Sequence, residues 1–390
     1  MPASLTSDAR KGVPVLACYA APNRRPRGAR WFPLRRRGAH LGFVREEPDS
    51  AAWSEDELGA RWRACEPIVL RGAVAAGVSS SVREIARTLA LFERVRGGAS
   101  FQDEAWRRLG GDSGFAAAGV ACDMYDPREI EKLYAHALGA RGRVVARDLY
   151  AKLAWIAHDE RDASLRIRFS FGSESLLEWT KEPRRAVWAD RFADALFPET
   201  AAVLQRRELL ARIERLAGRT VRLSERIVYN NAPGGGAVFH HDAEPHQLGV
   251  VYSQLAGRTA WFALSKRALA RELVAHMRVT RPRSALARRL ATPARALRAL
   301  EAEGDGDLYR LLNEDAGFAE RLVRAGYALS LRAGDALLLP SRGPDDTCWH
   351  SVFALGARPS LAHSYGIFAR RRTRGEALRE DRRYDMAQAR

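Results

Sequence analysis

The sequence predicts a mixed α+β fold whose C-terminal half is a sandwich or jelly roll of short strands, interrupted by a helical insert. Three observations predict it. From 219 to 264 short runs alternate with period two and close on turn residues: TVRLSERIVYN (220–230), GAVFHHDAE (236–244), QLGVVYSQLAG (247–257) and TAWFAL (259–264). Residues 265–326 then turn helical, opened by Ser265, Thr292-Pro293 and Asp307 and closed at Gly326. After Gly326 come ALSLRAG, DALLLPS, HSVFAL and LAHSYGIFA, four more short strands at close spacing.

The N-terminal half is mixed. Residues 1–50 read as a basic, flexible arm, because Pro, Gly and Arg dominate 22–38 (PNRRPRGARWFPLRRRG) and no period survives there. Order begins near Trp53. EPIVLRGAV (66–74) is a β-branched run closed by Gly72, a strand signal. SSSVREIARTLALFERV (79–95) places Ile85, Leu89, Phe92 and Val95 on one helical face. Residues 126–163 continue as helix, LRIRFSF (165–171) alternates like a strand, and 198–217 are helical up to Gly218. Four regions follow: the arm 1–50, a mixed helical region 51–218 packing on the barrel, a core 219–370 containing the insert 265–326, and a charged tail 371–390.

Charge and cysteines bound the function. The 390 residues carry a net charge of +17, nearly all of it arginine, and such a surplus attracts nucleic acid, acidic proteins or anionic surfaces. It is spread along the chain and not gathered in one motif, so an arginine-rich composition with no polyanion partner explains it as well. Cys18, Cys65, Cys122 and Cys348 form no CxxC pair, which argues against a disulfide framework or a zinc ribbon and for a reducing cytoplasm. No apolar run has the length of a membrane span. Nothing in the chain fixes an oligomeric state.

The chemistry gathers in VYNNAPGGGAVFHHDAEPHQ (228–247). In a strand, residues i and i+2 share a face, so His240 and Asp242 point together and His241 points away. An imidazole and a carboxylate on one face are two-thirds of the 2-His-1-carboxylate triad that leaves positions open on iron(II). The pair alone is weak, and His158 with Glu160 is a decoy, since a helix splays i and i+2 apart by about 200°. The third ligand belongs on a later strand, and His350 in GDALLLPSRGPDDTCWHSVF (334–353) is the best candidate. Glycines 234–236 are no phosphate loop, lacking Gly-Lys-Ser/Thr and a following helix. Close backbone approach or a mobile rim explains them better. There is no G-x-S-x-G elbow, and Cys348 beside His350 makes no thiol relay.

These segments together resemble the JmjC and cupin-like Fe(II)/2-oxoglutarate oxygenases. The pattern is EPIVLRG, then His-x-Asp, then Gln254, Gly257, Arg258 and Trp261, then GDxLLLP followed by WHxV, over roughly 66 to 368. The resemblance implies a double-stranded β-helix, the jelly-roll cupin barrel, with N-terminal helices. It implies iron on His240, Asp242 and His350, 2-oxoglutarate as cosubstrate, and hydroxylation of a protein side chain, an RNA or a small molecule, or demethylation where the carbon sits on nitrogen.

The chain departs from the pattern where the cosubstrate is held. Many members place a lysine two residues after the glycine of G-x-K; here that position is Thr259. His246 stands where many keep an asparagine, and His240 to Gln254 is a longer spacing than usual. Arg358 in ARPS (357–360) is the favoured substitute, because a guanidinium fork grips a carboxylate through two parallel hydrogen bonds. Arg258 comes next and Arg370 third, with Tyr229, Thr259 and Ser360 adding hydroxyls. His246, Glu244 and Asn231 are expected at the substrate rim or in plain turns. Arg278, Arg281, Arg283, Arg288 and Arg289 suit an acidic or phosphate-bearing substrate if the insert overhangs the mouth; a solvated helix face explains them too. The missing lysine keeps other readings open: a cupin-like metal-binding module or basic nucleic-acid- or protein-binding factor without 2-oxoglutarate turnover, or a metal enzyme that does not use 2-oxoglutarate.

Overall fold

The computed structural model describes residues 16–370, apart from 25, 28–30, 37, 47–52, 111–113, 123–125, 158–159, 173–181, 282 and 303. The tail 371–390, the first fifteen residues of the expected arm and His158 of the decoy pair lie outside the described residues.

In chain order the strands are β1 (Cys18–Ala20), β2 (Trp31–Arg36), β3 (Ala39–Arg45), β4 (Ile68–Leu70), β5 (Phe115–Ala121), β6 (Glu129–Leu138), β7 (Val144–Trp155), β8 (Leu165–Phe171), β9 (Val221–Asn231), β10 (Gln247–Ala256), β11 (Arg258–Ser265), β12 (Ala328–Arg332), β13 (Ala336–Pro340), β14 (Cys348–Ala354) and β15 (Ser360–Ala369). From β9 onward the chain steps between two sheets. β9, β10, β13 and β15 lie in a large antiparallel sheet of order β4-β13-β10-β15-β9-β8-β7-β6-β5, while β11, β12 and β14 form a small sheet of order β12-β11-β14. Residues 235–240 extend the small sheet along β14 through Ala354 N to Gly235 O, paired Ala237–Val352 bonds and paired His240–His350 bonds. This winding, β9 and β15 on one wall and the His240 segment and β14 on the other, is a double-stranded β-helix.

Three apolar layers hold it. Leu165, Ile167, Phe169 and Phe171 of β8 face outward to the helices Val82–Arg96, Phe101–Leu109 and Pro183–Leu196. Val250, Tyr252, Trp261, Leu339 and Val352 fill the space between the two sheets. The third layer covers the outer face of the small sheet. There Phe262, Trp349 and Phe353 meet Leu269, Leu273 and Phe318 of the insert, together with Leu34, Leu41 and Val44 of the N-terminal strands. The first and last motif segments are joined at one corner. Arg71 of EPIVLRG pairs with Asp335 of the Gly-Asp turn, which also accepts from Gly72 N at 3.0 Å and Arg332 N at 2.9 Å, so β4 docks on β13. Among the described residues no helix is long and apolar enough to cross a membrane.

Four expectations are corrected. The helix expected over 126–163 is replaced, among the described residues, by β6 and β7, which extend the large sheet. Register shifts at Glu129/Glu131 and Ala135/Ala137 break the two-residue alternation of β6, which leaves an alanine- and charge-rich run that imitates a helix. The described residues between 16 and 45 are not a flexible arm. β1, β2 and β3 form a sheet whose Leu34, Leu41 and Val44 are buried against the insert. Residues 236–244 are not a regular strand, and contact β14 only through short bridges. The insert does not roof the barrel, because it packs on the outer face of the small sheet. Its arginines pair locally, Arg281 with Asp315 at 3.2 Å and Arg289 with Asp305 at 2.5 Å.

Candidate metal centre

Two backbone facts bring the ligands together. β14 places His350 opposite Ala263 of β11 and points it into the space between the sheets, where it is 3% exposed. The 235–242 segment is then drawn onto β14 closely enough that only glycine fits. A Cβ on Gly236, at φ +144°, would collide with the Val352 carbonyl, and one on Gly235 would strike Ser164 and Asp162. The glycine run therefore serves close approach, not a ligand.

The outcome is a convergent donor set. The His240 Nε2–Asp242 Oδ1 distance is 3.6 Å and the His350 Nε2–Asp242 Oδ2 distance is 3.4 Å. One ligand atom from each of the three residues lies within 4.8 Å of the others, close enough to share one ion. His240 Nδ1 donates to Val238 O at 2.7 Å, which fixes the tautomer and leaves Nε2 as the free donor. Burial and the neighbouring His240 push His350 down to about 3, so its imidazole is neutral near pH 7, the form that binds metals. Burial alone would raise Asp242, yet His350, His240 and His241 hold it below the usual carboxylate range. His241 turns away: its ring lies 5.1 Å from that of Trp349, and its Nδ1 accepts from Ala243 N at 3.2 Å.

The three residues open onto a cavity of about 310 Å³. Its apolar wall includes Val250, Tyr252, Trp261, Leu339 and Val352, and its polar wall includes Arg128, Arg166, Arg168, Glu225, Tyr229, Asn231, Glu244 and Gln247. Arg166 and Arg168 were missed from sequence. Both stand on the inner face of β8, with Arg166 registered opposite Tyr229 and Arg168 opposite Ile227 of β9. The signal was present in LRIRFSF, where two arginines alternate with the apolar residues that face the helices. Neither arginine makes a hydrogen bond or ion pair among the described residues. Burial pulls Arg166 below its ordinary value, partly offset by Tyr229 and Asp242 nearby.

The expected anchors fare differently. Tyr229 lines the cavity, as do the expected rim residues Glu244 and Asn231. Arg358 lies exposed in the turn between β14 and β15, away from the lining. Arg258 pairs with Glu46 at 2.9 Å and covers the ring of Phe32. Thr259 is buried, donating to Gln254 Oε1 at 2.8 Å and accepting from Trp261 Nε1 at 2.9 Å, so the indole closes the place where a lysine would emerge. Ser360 accepts from Asn231 Nδ2 at 3.1 Å. Arg370 follows β15, its backbone N–H bonded to Thr220 O, and is no part of the lining; His246 sits at φ +61° outside it too. The reason is local: the β14–β15 turn points outward, whereas β8 crosses the cavity wall.

No protein-family model matches the chain, and no curated protein sequence does. Oxygenase structures are among those similar to it. YcfD, a ribosomal oxygenase from Escherichia coli, matches at 17% identity over 58% of this chain and 36% of its own, with a TM-score of 0.24. SnoN, a non-heme alpha-ketoglutarate-dependent epimerase from nogalamycin biosynthesis, matches at 14% identity over 81% of this chain and 82% of its own, with a TM-score of 0.30. An oxidoreductase of the 2OG-Fe(II) oxygenase family from Burkholderia pseudomallei matches at 11% identity over 81% of this chain and 91% of its own, with a TM-score of 0.27. The chain thus spans about a third of the YcfD chain it matches. At these scores the fold and the site rest on the topology and distances above.

Proposed function

We propose that this chain is an Fe(II)- and 2-oxoglutarate-dependent oxygenase, a hydroxylase of a protein side chain or a small molecule. The observation that carries the reading is a His-Asp-His donor set opening onto a cavity whose other wall bears Arg166 without an ion-pair partner among the described residues. The residues fit both groups. Two imidazoles and a carboxylate suit iron(II). Arg166, with the Tyr229 hydroxyl and the buried Tyr252 hydroxyl beside it on the lining, suits the far carboxylate of a dicarboxylate. Arg166 therefore replaces Arg358 as the proposed anchor. When bound, iron and 2-oxoglutarate supply the oxidation of a C–H bond by O2, with succinate and CO2 released.

The chain's own residues bind, orient and exclude water. His240, held through Val238, keeps its ligand nitrogen aimed at Asp242. Trp261, Val250, Leu339 and Val352 make the wall apolar, which limits water where a reactive centre would sit. Glu225, Glu244 and Arg168 are left to meet the substrate, a protein side chain or a small molecule. The four cysteines form no disulfide among the described residues, which fits a reducing cytoplasm. Succinate formation that requires O2 and iron(II), and is lost in His240→Ala and His350→Ala, tests the assignment; activity that survives either substitution would sink it.

One observation favours a second reading. Trp261 and Gln254 seal Thr259, so the position that usually holds the cosubstrate is closed. A metal-binding module, or a basic factor acting on nucleic acid or protein, would show metal binding, no 2-oxoglutarate affinity and, if it holds a polyanion, a steep salt dependence.

A further inference from the structure

The metal-ligand segment is poorly held by the barrel itself. Residues 235–242 lie at the open edge of the small sheet, and their backbone bonds to β14 fall at Gly235, Ala237 and His240. At such an edge the intervening N–H groups point outward and need a partner from elsewhere. The Phe239 N–H, one residue before His240, donates to Asn313 Oδ1 at 2.8 Å. Asn313 belongs to the insert helix Gly306–Glu314 and is anchored by its own Nδ2, which donates to Tyr309 O at 3.1 Å.

The same Asn313 oxygen accepts a second hydrogen bond, from Arg36 Nη1 at 3.2 Å. Arg36 is the last residue of β2, is 2% exposed, and lies over the Phe353 ring at 4.0 Å. Its Nη2 donates to Val352 O at 2.6 Å and to Ser351 Oγ at 2.9 Å, the two residues after His350. Ser351 Oγ in turn donates to Ala237 O at 3.4 Å. One guanidinium and one amide therefore tie together the N-terminal sheet, the insert, the strand of His350 and the segment of His240.

We propose that Arg36 and Asn313 are positioning residues for the metal centre: they form a latch that holds His240 at the distance from His350 at which both can share one ion with Asp242. This rests on the metal reading above but not on 2-oxoglutarate or on any substrate. A long buried arginine needs polar partners wherever it lies; here those partners are the backbone and side chains flanking both histidine ligands. The latch gives the N-terminal sheet and the insert a task at the site, although neither lines the cavity.

The test is cobalt(II) titration followed by its visible absorption, with unfolding of the metal-free protein measured in parallel. Asn313→Ala is expected to weaken cobalt(II) binding about 10- to 100-fold, as outer partners of metal ligands do, and to alter the bound spectrum. Asn313→Asp keeps the shared oxygen but loses the Nδ2 bond to Tyr309 O, and is expected to recover part of the affinity. A merely structural residue would shift the unfolding midpoint and leave the folded protein's cobalt affinity and spectrum as in wild type, which would overturn the latch. Wild-type protein that binds no cobalt(II) would remove the metal reading and the latch with it. Amide exchange needs no variant: the Phe239 N–H of wild type is expected to exchange as slowly as those of His240 and His350, and exchange at a solvated-loop rate would overturn the proposal.

Discussion

Arg166 carries the test that separates the proposed anchor from the one expected from sequence. Arg166→Ala removes the guanidinium on the wall opposite the ligands and is expected to raise the 2-oxoglutarate KM by 100-fold or so, about 3 kcal/mol for a charge-assisted pair. Arg358→Ala, in an exposed turn, is expected to leave it unchanged; steady-state succinate assays on both variants decide. Glu225 makes a pH prediction. It sits at φ +51° on β9, and burial and the nearby Glu244 push it up from 4.5 to about 8. A carboxyl raised in the folded state binds more protons folded than unfolded, so its contribution falls as pH rises from 4.5 to about 8. Glu225→Gln should therefore gain stability relative to wild type as pH rises through that window, read from denaturant midpoints at its two ends. Equal pH dependence in both proteins would contradict this.

Elements show what the sequence could and could not reveal. Strands with an apolar face and turn residues at each end were legible: β8, β10, β11 and the four after Gly326. So were the parity of His240 and Asp242 and the partnership with His350, because parity survives even where the segment is not a regular strand. β6 and β7 were not legible, since bulges disrupt their alternation and Lys152 is buried through Asp126 at 3.0 Å and Glu129 at 2.8 Å, ion pairs that a strand pattern does not anticipate. The wall that bears Arg166 and Arg168 was illegible for a related reason: β8 lies far from the motif in sequence, and only the sheet order brings it beside β9. Gly236→Ala is expected to cost about 1–3 kcal/mol from overpacking, with further strain from its positive φ, and to weaken metal binding as the segment lifts from β14; urea midpoints and cobalt(II) titration measure both.

At the scale of the whole molecule, the barrel is sandwiched. Helices cover the outer face of the large sheet, and the insert with the N-terminal sheet covers the small one. The N-terminal sheet is part of the core: the Tyr19 hydroxyl lies 2.8 Å from Leu41 O and 2.9 Å from Ala316 O, with its one O–H shared between them, bridging the sheet to the insert. Removing residues 1–45 should expose the insert's apolar face and lower the unfolding midpoint, and an unchanged thermal melt would refute that integration. The central claim is that the paired histidines, Asp242 and Arg166 form one site for iron(II) and 2-oxoglutarate. Anaerobic calorimetry of 2-oxoglutarate binding, with and without iron(II), tests it most directly. Binding that appears only with the metal, and disappears in Asp242→Ala and weakens sharply in Arg166→Ala, is the predicted result; no binding, or binding indifferent to the metal and to Arg166, would contradict it.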